Sequence, residues 1–246
     1  MRIVLLAGVA ALALSACASN RASMADPIAT GSISSSPTSL AQLAARYKAR
    51  PQDKITIIYY AAALRAAGQP DQAVSVLEAG LAIYRKDIDI KIAYAKALTA
   101  AGRFTQALNV ADDAINPASP DWNALLVKGA ILDQNGRNAD ARALYTQALL
   151  IAPGEASLEA NMGLSFAMTN ELDQAEQHLR KAVTMRGATS QIRQNLALVI
   201  GLQGRFDECR RLFARELPPD QVEANMAYIR ALLTQQNRWD LIKGAN

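Results

Sequence analysis

A spacing of 34 residues constrains this chain more than any other feature. Ala73, Ala107, Ala141, Ala175 and Cys209 stand 34 apart with no insertion or deletion between them. Five residues before each comes a turn former: Gly68, Gly102, Gly136, Asn170 and Gly204. Glycine relieves the left-handed strain at the end of a helix, and asparagine is the next most tolerant residue, so this column predicts where one helix stops. Small residues recur at Ala61, Ala95, Gly129, Gly163 and Ala197, with large apolar ones three residues on at Leu64, Leu98, Leu132, Phe166 and Ile200. A step of three keeps both on one helical face, so two helices can approach closely with a knob fitting a hollow. The repeating unit is therefore a helix, a tight turn and a second helix. Composition agrees. Of 246 residues, 51% are hydrophobic and only 5% aromatic, a balance that suits close-packed helices better than sheets. The expected fold class is all-α.

A 34-residue helix-turn-helix period with these columns resembles the tetratricopeptide repeat family. The resemblance implies a right-handed α-solenoid of about five repeats over residues 54–218. Some positions depart from the family pattern. Its early tryptophan is replaced by Ile57, Lys91, Leu125, Glu159 and Arg193, and its late proline survives clearly only as Pro153. The small residue late in the second helix is Gly80, Ala114, Ala148 and Ala182, but Glu216 in the fifth unit. That unit is expected to end the regular array or to pack against something different. One period back from Leu77 and Arg85 stand Leu43 and Pro51, so residues 39–53 read as a lone capping helix. After Pro218 and Pro219, residues 219–246 are amphipathic, with Asp220 placed as an N-cap, and are expected to cover the last repeat. Such covers are needed because each repeat buries its apolar face only against neighbours.

The first segment has the layout of an export signal. Met1 and Arg2 precede an apolar stretch from Ile3 to Leu14 and then small residues. That stretch has 12 residues, where a membrane span takes roughly 20. Leu14-Ser15-Ala16-Cys17 resembles the bacterial lipobox, which implies a signal peptide at 1–16, cleavage before Cys17, and acyl chains on its thiol and new amino group. The alternative is an ordinary secretory signal with a chance cysteine. Residues 17–38 are rich in Ser, Ala, Pro and Gly without helical period, and read as a flexible tether. Ala18 is not the aspartate that resembles an inner-membrane retention signal, so the expected location is the outer membrane, lipid-anchored and facing the periplasm. Formal charge is +4, and +3 without Arg2, the only charged residue before Cys17. So weak a bias gives no reason to expect nucleic acid.

The sequence offers no constellation for catalysis. With Cys17 acylated, Cys209 has no disulfide partner and is expected to fill an alanine-sized core slot, a thiol-carrier role being the alternative. His178 is the only histidine and is expected to be solvated. Asp112 and Asp113 are adjacent on a helix and so point in different directions. There is no CxxC, no glycine-rich phosphate loop after a strand and no nucleophile elbow. No enzyme activity, cofactor, metal or small-molecule substrate is expected.

Function then falls to the surface. Tetratricopeptide arrays hold partner segments in a groove lined by their first helices. The family's groove columns fall here on Ile58, Arg65, Ile92, Lys96, Asn123, Leu126, Asp133, Leu164, Gln194 and Leu198. Lys96, Asn123 and Gln194 are expected on its exposed wall, while Leu164 and Leu198 could instead pack the inner wall. The mixture suits a peptide or helix of another protein. The stretches "EANMGLSFAMTNELDQAEQHLRKAV", "RQNLALVIGLQGRFDE" and "EANMAYIRALL" resemble the TadD-type lipoproteins of tight-adherence (Flp) pilus systems. That resemblance implies a periplasmic assembly factor for the pilus machinery, with its secretin as the expected partner. A general periplasmic adaptor for envelope maintenance or cell-wall hydrolase control shares every feature except the partner.

Overall fold

The computed structural model describes residues 37–244, and side chains from 39 to 234. The signal segment at 1–16, Cys17 and nearly all of the tether lie outside the described residues. Every regular element among the described residues is an α-helix. The chain divides into two compact units at Ala152 and Pro153. The first holds α1 (Pro37–Ala49), α2 (Lys54–Ala66), α3 (Pro70–Ile83), α4 (Ile88–Ala100), α5 (Phe104–Ala114), α6 (Trp122–Gln134) and α7 (Asn138–Ile151). The second holds α8 (Ala156–Met168), α9 (Leu172–Thr184), α10 (Ser190–Leu202), α11 (Phe206–Phe213) and α12 (Pro219–Gly244). Three repeats, α2 to α7, fall in the first unit and two, α8 to α11, in the second.

Both ends of each repeat's first helix are set by local chemistry. At the C-terminal end, Gly68, Gly102, Gly136, Asn170 and Gly204 take φ between 64° and 82°. The following amide bonds back five residues, as in Gln69 N–H to the Leu64 carbonyl at 2.9 Å and Glu171 N–H to the Phe166 carbonyl at 2.9 Å. These are Schellman turns, and they satisfy carbonyls that the helix end would otherwise orphan. At the N-terminal end a second column appears at the same 34-residue step. Asp53, Asp87 and Asp121 accept hydrogen bonds from the first-turn amides of α2, α4 and α6, and Thr189 does so for α10. Glu155, in the same column before α8, makes no such bond.

The first unit packs small residues against large ones. Gly80 sits against Ile57, so close that an added Cβ would lie 2.9 Å from Ile57 Cγ2. Ile57, Leu64, Leu77, Ile90 and Leu98 are fully buried around this contact. The helix read at 39–53 runs Pro37–Ala49 and lies on α2, with Tyr47 stacked on Tyr60 at a centroid distance of 5.2 Å. Tyr84 donates its hydroxyl to the Gln52 carbonyl at 2.7 Å. Charged residues link successive repeats: Lys54 Nζ meets Asp87 at 2.8 Å and Asp89 at 3.3 Å, and Arg103 Nη2 meets Asp71 at 2.6 Å. Arg137, one period after Arg103, pairs instead with Asp140 of its own repeat at 2.7 Å.

The second unit repeats the theme and closes it with the long last helix. A Cβ on Gly163 would lie 2.8 Å from Leu179 Cγ and 2.9 Å from the Ala175 carbonyl oxygen. Val222, Met226 and Ile229 are buried at a spacing of four and three residues, the stripe expected of a covering helix. Ile229 Cδ1 packs within 2.8 Å of where a Gly201 side chain would begin. Asp220 is not the N-cap of α12. The helix starts one residue earlier at Pro219, whose missing N–H costs nothing there, and Asp220 stands in the first turn near the positive end of the helix dipole.

Candidate partner-binding faces

The column that carries tryptophan in the family pattern holds three charges here, and the structure explains each. Glu159 is 1% exposed. It accepts from Lys181 Nζ at 2.5 Å and from His178 Nδ1 at 2.7 Å, both on α9. Burial pushes its carboxyl up, but the hydrogen bonds from Lys181 and His178 more than reverse this and hold it below the ordinary carboxylate range. Arg193 forks onto Glu216, Nε to Oε1 at 2.5 Å and Nη2 to Oε2 at 3.2 Å. That fork accounts for the fifth repeat's departure, since Glu216 occupies the small-residue position as the partner of Arg193. In the first unit Lys91 is buried and donates to the Asp113 carbonyl at 3.0 Å, with Asp113 Oδ2 at 2.7 Å. These charges close gaps within a repeat, Lys91 and Glu159 between its two helices and Arg193 against the turn after α11. They are occupied internally.

The residues read as a groove do not share one environment. In the first unit Ile92 is buried in the core and Leu126 is fully buried, while Ile58 is half-buried against that core. Arg65 and Lys96 are half-buried. Asn123 is 5% exposed, contrary to the exposed placement expected for it. It opens a run of five buried residues, 123–127, in α6, which packs against α4, α5 and α7. Asp133 is also an internal residue. Gly129 has no side chain, which admits the buried ring of Tyr145, and the Tyr145 hydroxyl donates to Asp133 Oδ2 at 2.8 Å. Asn138 Nδ2 donates to Asp133 Oδ1, also at 2.8 Å.

In the second unit Leu164 and Leu198 are buried and Gln194 is half-buried, with Gln194 Nε2 donating to Ser190 Oγ at 3.1 Å. Gln194 and Leu198 line a small opening together with Asn225 and Tyr228 of α12. Those two residues escape the repeat columns because α12 lies outside the 34-residue period.

The remaining candidate residues sort by burial. Cys209 is fully buried in its alanine column, 3.5 Å from Met226 Sδ, and burial pushes its thiol up to about 11. A thiol so placed is inert. His178 is not the solvated side chain expected from sequence: besides bonding Glu159, its ring stacks on Phe166 at 5.3 Å. The sequence concealed this because the partner lies on the other helix, 19 residues back. Asp112 and Asp113 diverge as expected, pairing with Lys128 at 2.5 Å and Lys91 at 2.7 Å. Among the described residues no group of three or more His, Cys, Asp or Glu could hold a metal ion, and no helix is long and apolar enough to cross a membrane.

Residues 64–129 and 193–215 each match tetratricopeptide repeat family models. No curated protein matches the chain. Among solved structures, the chain is similar to a thermophilic tetratricopeptide repeat protein of Thermus thermophilus, with 21% identity and a TM-score of 0.64 over 73% of this chain and 100% of that one. It is also similar to a tetratricopeptide repeat protein of Parabacteroides merdae, at 16% identity and TM-score 0.57 over 82% and 81% of the two chains. A third is PilW, at 16% identity and TM-score 0.56 over 81% of this chain and 90% of PilW. At such identities the likeness is one of fold. With the five-fold turn column and the matched segments, it shows that the chain has the tetratricopeptide repeat fold, an all-helical array of helix-turn-helix units.

Proposed function

We propose that the chain is a lipid-anchored periplasmic scaffold, tethered to the outer membrane through Cys17, that holds a segment of a pilus-assembly protein, the secretin of a tight-adherence system. The observation that carries the reading is the coupling of a lipobox-like Leu14-Ser15-Ala16-Cys17 and tether to an interaction array. The likeness of its last repeats to TadD-type lipoproteins supports the pilus assignment. PilW, described as a widely conserved type IV pilus biogenesis factor, is a precedent for this fold in pilus assembly. With Asn123, Asp133 and the leucines used internally, the groove-column side chains that are half-buried are Ile58, Arg65, Lys96 and Gln194. Arg65 and Lys96 bring hydrogen bonds and charge, and Ile58 brings apolar surface.

Two experiments test the parts separately. Labelled palmitate should mark the wild type and not Cys17→Ser, and label on the variant would remove the anchor. Replacing Arg65 and Lys96 together by alanine removes contacts worth ~0.5–1.5 kcal/mol each, so secretin capture should weaken by about tenfold while the melting curve stays near that of the parent. Unchanged secretin multimers with this variant would remove the first-unit face from the site. Normal multimers in a full deletion would remove the pilus role and favour the general envelope adaptor.

A further inference from the structure

One edge of the first unit gathers cations around two neighbouring loops. Tyr84, at the end of α3, donates its hydroxyl to the Gln52 carbonyl at 2.7 Å, which ties the loop after α3 to the loop after α1. Arg46 and Lys48 lie in the last turn of α1, Arg50 just beyond it, and Arg85 and Lys86 just beyond α3; all five are exposed. Asp53, held below the ordinary carboxylate range chiefly by its bonds from Thr56, is lowered further by Arg50 and Arg46, so both guanidinium groups lie near it. Among the described residues none of the five makes an ion pair. The acids of this edge are engaged elsewhere, Asp53 as the cap of α2, and Asp87 and Asp89 with Lys54 Nζ at 2.8 and 3.3 Å. Arg46 and Lys48 complement the negative end of the α1 dipole, but Arg50, Arg85 and Lys86 lie past the helix ends. Ile83, next to them, is 48% exposed.

The same loop in later repeats has a different chemistry. Residues 84–87 read Tyr-Arg-Lys-Asp, where 118–121 read Ala-Ser-Pro-Asp, 152–155 read Ala-Pro-Gly-Glu, and 186–189, Arg-Gly-Ala-Thr, carry a single cation. A feature that served the repeat fold would recur with the repeats. This one belongs to the end of the array that the tether enters. About 20 residues separate Cys17 from α1, and a flexible chain of that length spans ~25 Å. With Cys17 in a bilayer, the tether supplies a high effective concentration, so weak contacts between this edge and the surface count. Lysine and arginine are drawn to an anionic surface within a Debye length, and an exposed apolar side chain beside them can enter the headgroup boundary.

We propose that this edge docks on an anionic lipid surface, with Arg50, Arg85 and Lys86 against headgroup phosphates and Ile83 at the boundary. The tether then limits distance, and the edge sets which way the first unit faces. The inference rests on the Cys17 anchor and does not need the pilus assignment.

The test uses the full chain as the cell processes it, mixed with vesicles of phosphatidylcholine alone or with phosphatidylglycerol added. Flotation reads the anchor, and acetylation of lysine amines reads the docking. Lys48 and Lys86 should be labelled about threefold or more slowly on the anionic vesicles, while Lys181 of the second unit labels alike on both. High salt should remove the difference. Arg50→Gln combined with Arg85→Gln should also remove it, with a melting curve that stays at the parent's. Flotation with both vesicles and equal labelling would overturn the docking and leave the anchor standing. Flotation with the anionic vesicles alone, with Lys48 and Lys86 slowed, would remove the anchor and keep the edge. Slowing that extends equally to Lys181, or that survives in the double variant, would overturn the assignment to this edge. Slowing by soluble polyglutamate but not by phosphatidylglycerol would overturn the lipid in favour of an acidic protein segment.

Discussion

The two units fill one structural position in different ways. In the first, Ile57 and Leu125 occupy the tryptophan column as buried apolar side chains, with Lys91 as the charged exception. In the second the column is charged throughout, with Glu159 locked by α9 and Arg193 locked by Glu216. The helix pair evidently requires a filled and satisfied gap, whatever the residue type. An apolar filling holds under all conditions, whereas a buried charge holds only while its partner is present and ionised.

The largest effect should come from stranding a charge. Replacing His178 and Lys181 together by alanine leaves the Glu159 carboxylate buried and unpaired, a change that typically costs about 3–5 kcal/mol. Glu159→Leu, which gives the fourth repeat the side chain that the third has at Leu125, should be near neutral or stabilising. Thermal melts followed by circular dichroism compare them, and equal losses would dissolve the contrast between the units. Acid sharpens the same contrast. For Glu159 and Glu176 burial raises the carboxyl, and the Lys, His and Arg partners more than reverse it; for Glu208 and Glu216 the hydrogen bonds from Arg180 and Arg193 lead. All four are thereby lowered, so their stabilisation is present above the unfolded carboxylate range, near ~4.3, and is lost as pH falls through the folded values. In the first unit Asp53, held by the Thr56 cap bond, and Asp87, where burial is outweighed by Lys54 and the cap amides, are lowered too; with four such carboxyls against two, hydrogen exchange resolved by helix should show α8 to α11 losing protection before α2 to α6, and Glu159→Leu should narrow that lead.

A smaller effect, equal in the two units, is expected from the glycine contacts. Gly129→Leu meets the rigid Tyr145 ring and Gly163→Leu meets the Ala175 backbone and Leu179, each at a cost of ~1–3 kcal/mol. A melt matching the parent for either variant would show that the two helices of that repeat can part freely. Least of all should be the caps. Asp121→Ala should destabilise α6 by about 1 kcal/mol, and Glu155→Asp should stabilise α8 by up to as much, since only the shorter side chain suits the first-turn amides. No gain from Glu155→Asp would mean that the missing cap bond is not what distinguishes the start of the second unit.

What could be read from sequence follows from the range of each interaction. The turns were legible because a left-handed residue five positions before the alanine column admits little besides Gly and Asn. The contact column of Gly129 and Gly163 was legible for a similar reason, as no other residue leaves room for Tyr145 or Leu179. The aspartate caps went unread, although Asp53, Asp87 and Asp121 keep the same 34-residue step, because they look like ordinary surface charges until the amides they hold are seen. Glu159 and Arg193 stayed hidden because their partners lie 22 and 23 residues on, Lys181 on the facing helix and Glu216 in the turn after it. Of the groove, family columns mark which residues face inward, but not that Asp133 is claimed by Tyr145. Asn225 and Tyr228 were out of reach, because a covering helix has no period to align it with the rest.

The pairs between repeats of the first unit carry a different kind of information. Turns and caps are made within a repeat, so any repeat could occupy any place as far as they are concerned. Arg103 reaches back to Asp71, but Arg137, finding Thr105 at the equivalent place, turns to its own Asp140. Each exposed pair is worth little in energy, ~0–1 kcal/mol. Together they write an order into the array. A second repeat duplicated or moved beyond the third would keep every turn and cap and yet leave Arg103 facing Thr105 or Ala139 in place of Asp71, so the succession of repeats is itself marked on the surface.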